Sequence, residues 1–78
     1  MAQVVLYSAP GCHLCEEAAR TLDAMQRRYE FELREVDIHS DSDLERLYLI
    51  EIPVVEVDGV VVTSGRVDFD AVRAALGG

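Results

Sequence analysis

The chain has 78 residues, half of them hydrophobic, and its 7 Lys and Arg against 15 Asp and Glu give a formal charge of −8 at neutral pH. That length makes residues 1–78 a single domain with a small but adequate core, and the apolar share marks a globular chain, not a disordered one. The acid excess argues against nucleic acid or anionic membrane as a partner, since both reward Lys and Arg, and no apolar run approaches a membrane span.

Gln3 to Tyr7 reads as a nearly all-apolar strand of the kind buried on both faces at the centre of a sheet. Pro10 and Gly11 break it, so the chain turns sharply before a segment with helical period. In that segment Leu14, Ala18, Leu22, Met25 and Tyr29 recur at three- and four-residue steps, with Glu16, Glu17, Arg20, Asp23 and Arg27 between them. The pattern predicts an amphipathic helix of about four turns, supported by Glu16–Arg20 and Asp23–Arg27 spacings.

The only two cysteines, Cys12 and Cys15, flank the start of this helix. There, unpaired backbone N–H groups and the macrodipole favour an anion, and a thiolate is such an anion and the nucleophile of disulfide exchange. Strand, Pro-Gly turn, C-x-x-C and helix together form a redox pattern, with Cys15 one turn from a mixed disulfide on Cys12. Buried inert thiols and half of a zinc site are the alternatives. Zinc wants four ligands, and only His13, His39 and carboxylates remain to supply them, so redox chemistry is favoured. Two cysteines with no room for a signal peptide before the first strand lead us to expect a reducing, cytoplasmic compartment.

Phe31 to Ile38 follows as a second strand, its imperfect alternation suiting an edge. Ser42 and Glu45 have capping-box spacing ahead of a short helix carrying Leu44, Leu47 and Tyr48. The neighbouring Asp37, Asp41 and Asp43 lack the spacing of a calcium loop and read as a solvated helix start. Ile52-Pro53 opens the strand Val54–Val57, Asp58-Gly59 signals a tight hairpin, and Val60–Val62 returns. A loop over Thr63–Val67 leads to a last helix started by Asp68 or Asp70, with Phe69, Val72, Ala75 and Leu76 on its apolar face and Gly77-Gly78 at its end.

The resulting order, β-α-β-α-β-β-α, with C-x-x-C after the first strand and X-Pro before the third, resembles the thioredoxin fold, and the compact length is similar to a glutaredoxin or a small glutaredoxin-like relative. The resemblance implies an α/β architecture with a four-stranded mixed sheet: strands one and two parallel, three and four an antiparallel hairpin. The first and third helices would share one face and the second cover the other. It implies that Cys12 is the exposed nucleophile, Cys15 the buried resolving thiol, and Pro53 a cis proline beside them. From the residues alone a cis bond is not shown, since most X-Pro bonds are trans, and an ordinary strand-start proline is the alternative. Substrate would dock along backbone groups of Ile52 beside Pro53, with Gly11, His13 and Leu14 lining the groove.

Some positions depart from the glutathione-using motif Lys-x-x-Cys-Pro-Tyr-Cys. Ala9 stands at the lysine, His13 and Leu14 replace Pro and Tyr, Glu51 replaces a threonine, and a Gly-Gly-x-x-Asp segment survives at most as Ser64–Asp68. Arg66 is the one cation near the expected groove, and otherwise a solvated loop residue. His13 either tunes the Cys12 thiolate or simply faces solvent; His39 reads as a surface residue.

The expected function is a thiol–disulfide oxidoreductase acting on protein disulfides or glutathione mixed disulfides. It would have no tightly bound cofactor and no metal, glutathione as a possible reductant, a glutathione or thioredoxin reductase system behind it, and a monomeric state. A second class of function is a binding module of the same fold that holds a metal or iron–sulfur cluster at the C-x-x-C between two chains. A third is a carrier domain whose dithiol is incidental.

Overall fold

A computed structural model describes residues 1–77 of the chain. Ala2–Ser8 forms the central strand β1, and the four-stranded sheet has the order β2-β1-β3-β4. Strand β2 (Phe31–Asp37) pairs parallel to β1 across helix α1 (His13–Met25), while β3 (Val54–Val57) pairs antiparallel on the other side. Strand β4 (Val60–Ser64) closes the far edge, and helices α2 (Ser42–Tyr48) and α3 (Phe69–Ala75) complete the expected order.

Period-two alternation divides β1 between two layers. Val4 and Leu6 face α1 and α3 and join Ala18, Leu22, Met25, Phe31, Val55, Val57 and Val72 in one buried cluster. Val5 and Tyr7 point the other way and are only half-buried. That second face differs from the expectation of full burial because α2 is just 7 residues long and buries none of them. It reaches the sheet through Tyr48, whose ring lies 4.8 Å from that of Tyr7. The Tyr7 hydroxyl donates to Glu56 at 3.1 Å. Burial first, then that hydrogen bond, raises the phenol's pKa.

Helix α1 stops at Met25, one turn short of the span its apolar period predicts. No glycine follows to form a left-handed cap; instead the N–H groups of Arg28 and Tyr29 both turn back to the Met25 carbonyl, at 3.0 and 2.9 Å. Tyr29 still packs on the core from this turn, which is why the period runs on past the helix. Among the described residues, His13 Nδ1 lies 3.6 Å from the Glu16 carboxylate, and the expected Glu16–Arg20 and Asp23–Arg27 pairs are not formed.

Ile38 leaves β2 for a short 3₁₀ turn, Ile38–Ser40, yet is fully buried. The capping box expected at Ser42 and Glu45 sits differently. Asp41, in extended conformation, is the N-cap and accepts from the Asp43 N–H at 2.8 Å. Ser42 becomes the first helical residue, and Glu45 reaches back to Nδ1 of His39. Leu47, one of the apolar residues this helix carries, is exposed.

The hairpin forms as predicted, with Asp58 at φ 51° and Gly59 at φ 85°, both in the left-handed region that this turn requires. Strand β4 carries an extra residue: Val55 opposes Thr63 and Glu56 opposes Val61, so Val62 is the bulge and the strand runs on to Ser64. Asp68 caps α3, accepting from the N–H groups of Asp70 and Ala71. Gly77 follows at φ 81°; the Gly78 half of the expected terminator lies outside the described residues.

Leu22, fully buried where α1 meets the sheet, carries much of this packing. Leu22→Ala is expected to lower the free energy of unfolding by about 3 kcal/mol in chemical denaturation. The His39–Glu45 contact gives a second test. Its hydrogen bond to Glu45 raises the imidazole pKa. A raised folded-state pKa stabilises fully below the unfolded value, about 6.5, and the contribution fades as pH rises through the folded value. The difference in thermal midpoint between the protein and His39→Ala should therefore be widest at acid pH and narrow as pH rises above about 6.5.

Candidate functional site

The turn between β1 and α1 builds the site. The Cys12 N–H closes onto the Ala9 carbonyl at 3.3 Å, and Gly11 takes φ 79° to bring the chain round. Cys12 is the N-cap of α1, with extended φ and ψ of −88° and 106°, and its Sγ accepts from the Cys15 N–H at 3.2 Å. A sulfur thus occupies the place usually taken by a hydroxyl or carboxylate oxygen, where the helix offers its free N–H groups.

Cys12 and Cys15 are joined as a disulfide, with their Cα atoms 5.2 Å apart. Their surroundings differ. Cys15 falls on the stripe Cys15, Ala18, Leu22 and Met25 that α1 turns toward the sheet, and is 2% exposed. Cys12, at the helix tip, is half-buried. One sulfur can be met by an incoming molecule and the other only by the first.

The remaining predicted residues surround this pair unevenly. The Ile52-Pro53 bond is cis, and Pro53 is buried one residue before Val54, which pairs with Tyr7. That register sets Pro53 beside the end of β1, where the dithiol turn begins. Ile52 offers less than expected, since its N–H already donates to the Tyr48 carbonyl at 3.0 Å. Only its carbonyl is left for an incoming strand. Gly11 is exposed at the turn, and the His13 side chain is 94% exposed, reaching Glu16 and not a sulfur.

Leu14, which the helical period assigned to the buried stripe, points outward because Cys15 takes that position. It lines a groove of about 270 Å³ with Glu17, Ala18, Arg66, Val67 and Phe69. Arg66 therefore does stand at the flank of the site. On the other flank a groove of about 430 Å³ is lined by Ser8, Ala9, Pro10, Gly11, Glu16, Glu35 and Asp37. Here Ser8 Oγ donates to Glu35 Oε2 at 2.9 Å. The sequence reading passed over both residues, although alternation along two parallel strands puts them on one face. Among the described residues, no group of three or more His, Cys, Asp and Glu gathers as a metal site. No helix among them is long and apolar enough to cross a membrane.

A four-stranded mixed sheet of this order, with a C-x-x-C disulfide at the first helix and a cis proline before the third strand, defines a thioredoxin-like fold. The solution structure of an oxidised thioredoxin from Plasmodium falciparum shares that fold at a TM-score of 0.66, covering 97% of this chain and 78% of its own at 18% identity. More specifically, the chain belongs to the family described as Glutaredoxin-like domain (DUF836), whose profile matches residues 3–77. Protein Ne2328 from Nitrosomonas europaea is 32% identical, with 94% of this chain and 88% of that one aligned at a TM-score of 0.83. A protein from X. campestris is also 32% identical, with 95% of each chain aligned at a TM-score of 0.71. No curated protein matches the sequence.

The difference in burial is directly testable once the disulfide is reduced. A thiol-alkylating reagent at neutral pH should modify Cys12 well before Cys15, followed by mass spectrometry of the digested protein. Labelling in the opposite order would reverse the roles assigned to the two sulfurs.

Proposed function

We propose that the protein is a thiol–disulfide oxidoreductase that reduces protein disulfides or glutathione mixed disulfides. The observation that carries this reading is the unequal placement of one bonded pair: Cys12 at the helix tip accepting an N–H, and Cys15 sealed beneath it. In the reduced protein the Cys12 thiolate attacks one sulfur of the substrate, and the other substrate sulfur leaves as a thiolate that takes up a proton. Cys15 then attacks Cys12 Sγ, the mixed disulfide breaks, and the second substrate thiol departs. Two electrons have passed to the substrate, and the Cys12–Cys15 disulfide awaits an external reductant.

Docking is assigned to the carbonyl of Ile52 beside Pro53, with Gly11, His13 and Leu14 at the rim and Arg66 on the Leu14 side. Glutathione is a weaker fit as substrate or reductant than a polypeptide is. Ala9 brings no cation to its carboxylates, and Glu51 brings a repelling charge. A cytoplasmic monomer served by a glutathione or thioredoxin reductase system, contributing to electron transfer and redox homeostasis, completes the proposal.

Insulin reduction, run in parallel with glutathione plus its reductase and with thioredoxin reductase, tests the activity and names the reductant. Cys12→Ser should abolish turnover. Cys15→Ser should accumulate a mixed disulfide with substrate on Cys12, visible as a mass adduct that dithiothreitol removes. Turnover retained by Cys12→Ser would overturn the mechanism.

A further inference from the structure

Three of the seven large apolar side chains exposed among the described residues, Leu47, Leu49 and Ile50, fall within four positions at the end of α2. Ile50 is 94% exposed. Scattered apolar side chains on a surface are ordinary, whereas a contiguous group marks a contact site. Here the group is contiguous around Arg46, which forms a wall of two hollows. One, of about 490 Å³, is lined also by Glu45, Leu49 and Ile50, and the other, of about 380 Å³, by Asp43 and Leu47. Packing within the chain does not account for these aliphatic residues: α2 buries none of its 7 residues and meets the sheet through the Tyr48 ring on Tyr7.

The charge around the patch selects its occupant. Residues 41–51 carry Asp41, Asp43, Glu45 and Glu51 against a single Arg46, in a chain of net charge −8. Asp43 lies 3.4 Å from Arg46 and Glu45 pairs with His39, so Asp41 and Glu51 have no ion pair among the described residues and the rim is net negative. A second copy docked face to face would set these acids against one another, and an anionic lipid surface would meet the same repulsion. A polypeptide segment with aliphatic side chains flanked by Lys or Arg suits both the hollows and the rim. The patch is also continuous along the chain with the dithiol site. Ile50 stands two residues before Ile52, so their Cα atoms are at most about 7 Å apart. The N–H groups of Glu51 and Ile52 both return to the Tyr48 carbonyl, at 2.8 and 3.0 Å, and this turn fixes the patch relative to the cis Ile52-Pro53 bond.

We propose that Leu47, Leu49 and Ile50 form a docking surface for the polypeptide substrate, taking an aliphatic segment flanked by Lys or Arg while the substrate's disulfide meets Cys12. The inference rests on the oxidoreductase reading. Two kinds of contact are thereby separated. The carbonyl of Ile52 beside Pro53 holds extended backbone near the sulfur whatever its sequence, and the α2 patch supplies the preference among polypeptides. A small disulfide reaches Cys12 without touching the patch.

The test uses three synthetic peptides that share one disulfide loop and differ in the four residues before it: Lys-Leu-Leu-Lys, Glu-Leu-Leu-Glu and Lys-Ser-Ser-Lys. Fully reduced protein is mixed with each and quenched with an alkylating reagent. Mass spectrometry then follows the appearance of the Cys12–Cys15 disulfide, with hydroxyethyl disulfide as the small reference. At low substrate concentration the Lys-Leu-Leu-Lys peptide should be reduced about tenfold faster than either of the others, and added salt should shrink its advantage over the glutamate peptide. Ile50→Ser and Leu49→Ser, each checked for native circular dichroism, should lower the ratio of its rate to that of hydroxyethyl disulfide by about tenfold. Equal rates for the three peptides, a preference for the glutamate peptide, or an unchanged ratio in both variants would overturn the inference. So would a native dimer that Ile50→Ser dissociates in sedimentation, which assigns the patch to a second copy. Binding to phosphatidylcholine vesicles that Ile50→Ser abolishes assigns it to a membrane and overturns the inference equally. If hydroxyethyl disulfide and all three peptides stay unreduced, the oxidoreductase reading itself fails and takes the inference with it.

Discussion

Ala18 and Leu22 of α1 pack against Val4 and Leu6 of β1 in the buried cluster, and this contact sets the rotation of the helix about its own axis. Side chains three and four apart share a helix face, so once Ala18 and Leu22 point to the sheet Cys15 must do so too. Cys12, one residue before the helix begins, is then fixed at its open end. The unequal burial of the two sulfurs is therefore a consequence of apolar packing a full turn and more away. No charged residue near the pair is needed to produce it. His13, the nearest candidate, reaches Glu16 in solvent.

Much of this was legible in the sequence because the informative signals were local. The Pro10-Gly11 break, the C-x-x-C spacing, the Asp58-Gly59 turn and the Asp68 cap each act over a few residues, where backbone preference outweighs tertiary context. The period of α1 was legible too, but it held two solutions at the start: Leu14 or Cys15 could lead the stripe, and hydrophobicity alone favoured Leu14. Packing chose Cys15. The end of α1 was misplaced for a related reason, since Tyr29 keeps contact with the core from a turn.

What stayed hidden depends on residues distant in the chain. Glu45 could form a box with Ser42 or a pair with His39, and the 3₁₀ turn at Ile38–Ser40 decided for His39. Ile52 lost its N–H to the end of α2 through a short return of chain that no composition rule announces. The Ser8–Glu35 bond joins residues 27 apart in sequence, and it becomes visible only when the parallel register of β1 and β2 is known.

Asp58 shows another consequence of distance. It occupies a left-handed turn position, and its side chain also accepts from the Gln3 N–H at 2.9 Å while its own N–H donates to the Gln3 carbonyl at 2.8 Å. The tip of the last hairpin is thereby clasped to the first residues of the central strand, across 55 positions of sequence. A chain growing from its N-terminus has β1, α1 and β2 in hand long before this clasp exists, and the antiparallel side of β1 stays open until β3 arrives. Closing so wide a loop costs entropy before its contacts reward it. The order of synthesis and the order of sheet completion thus run apart, and the nascent dithiol segment waits on the last third of the chain for its final frame.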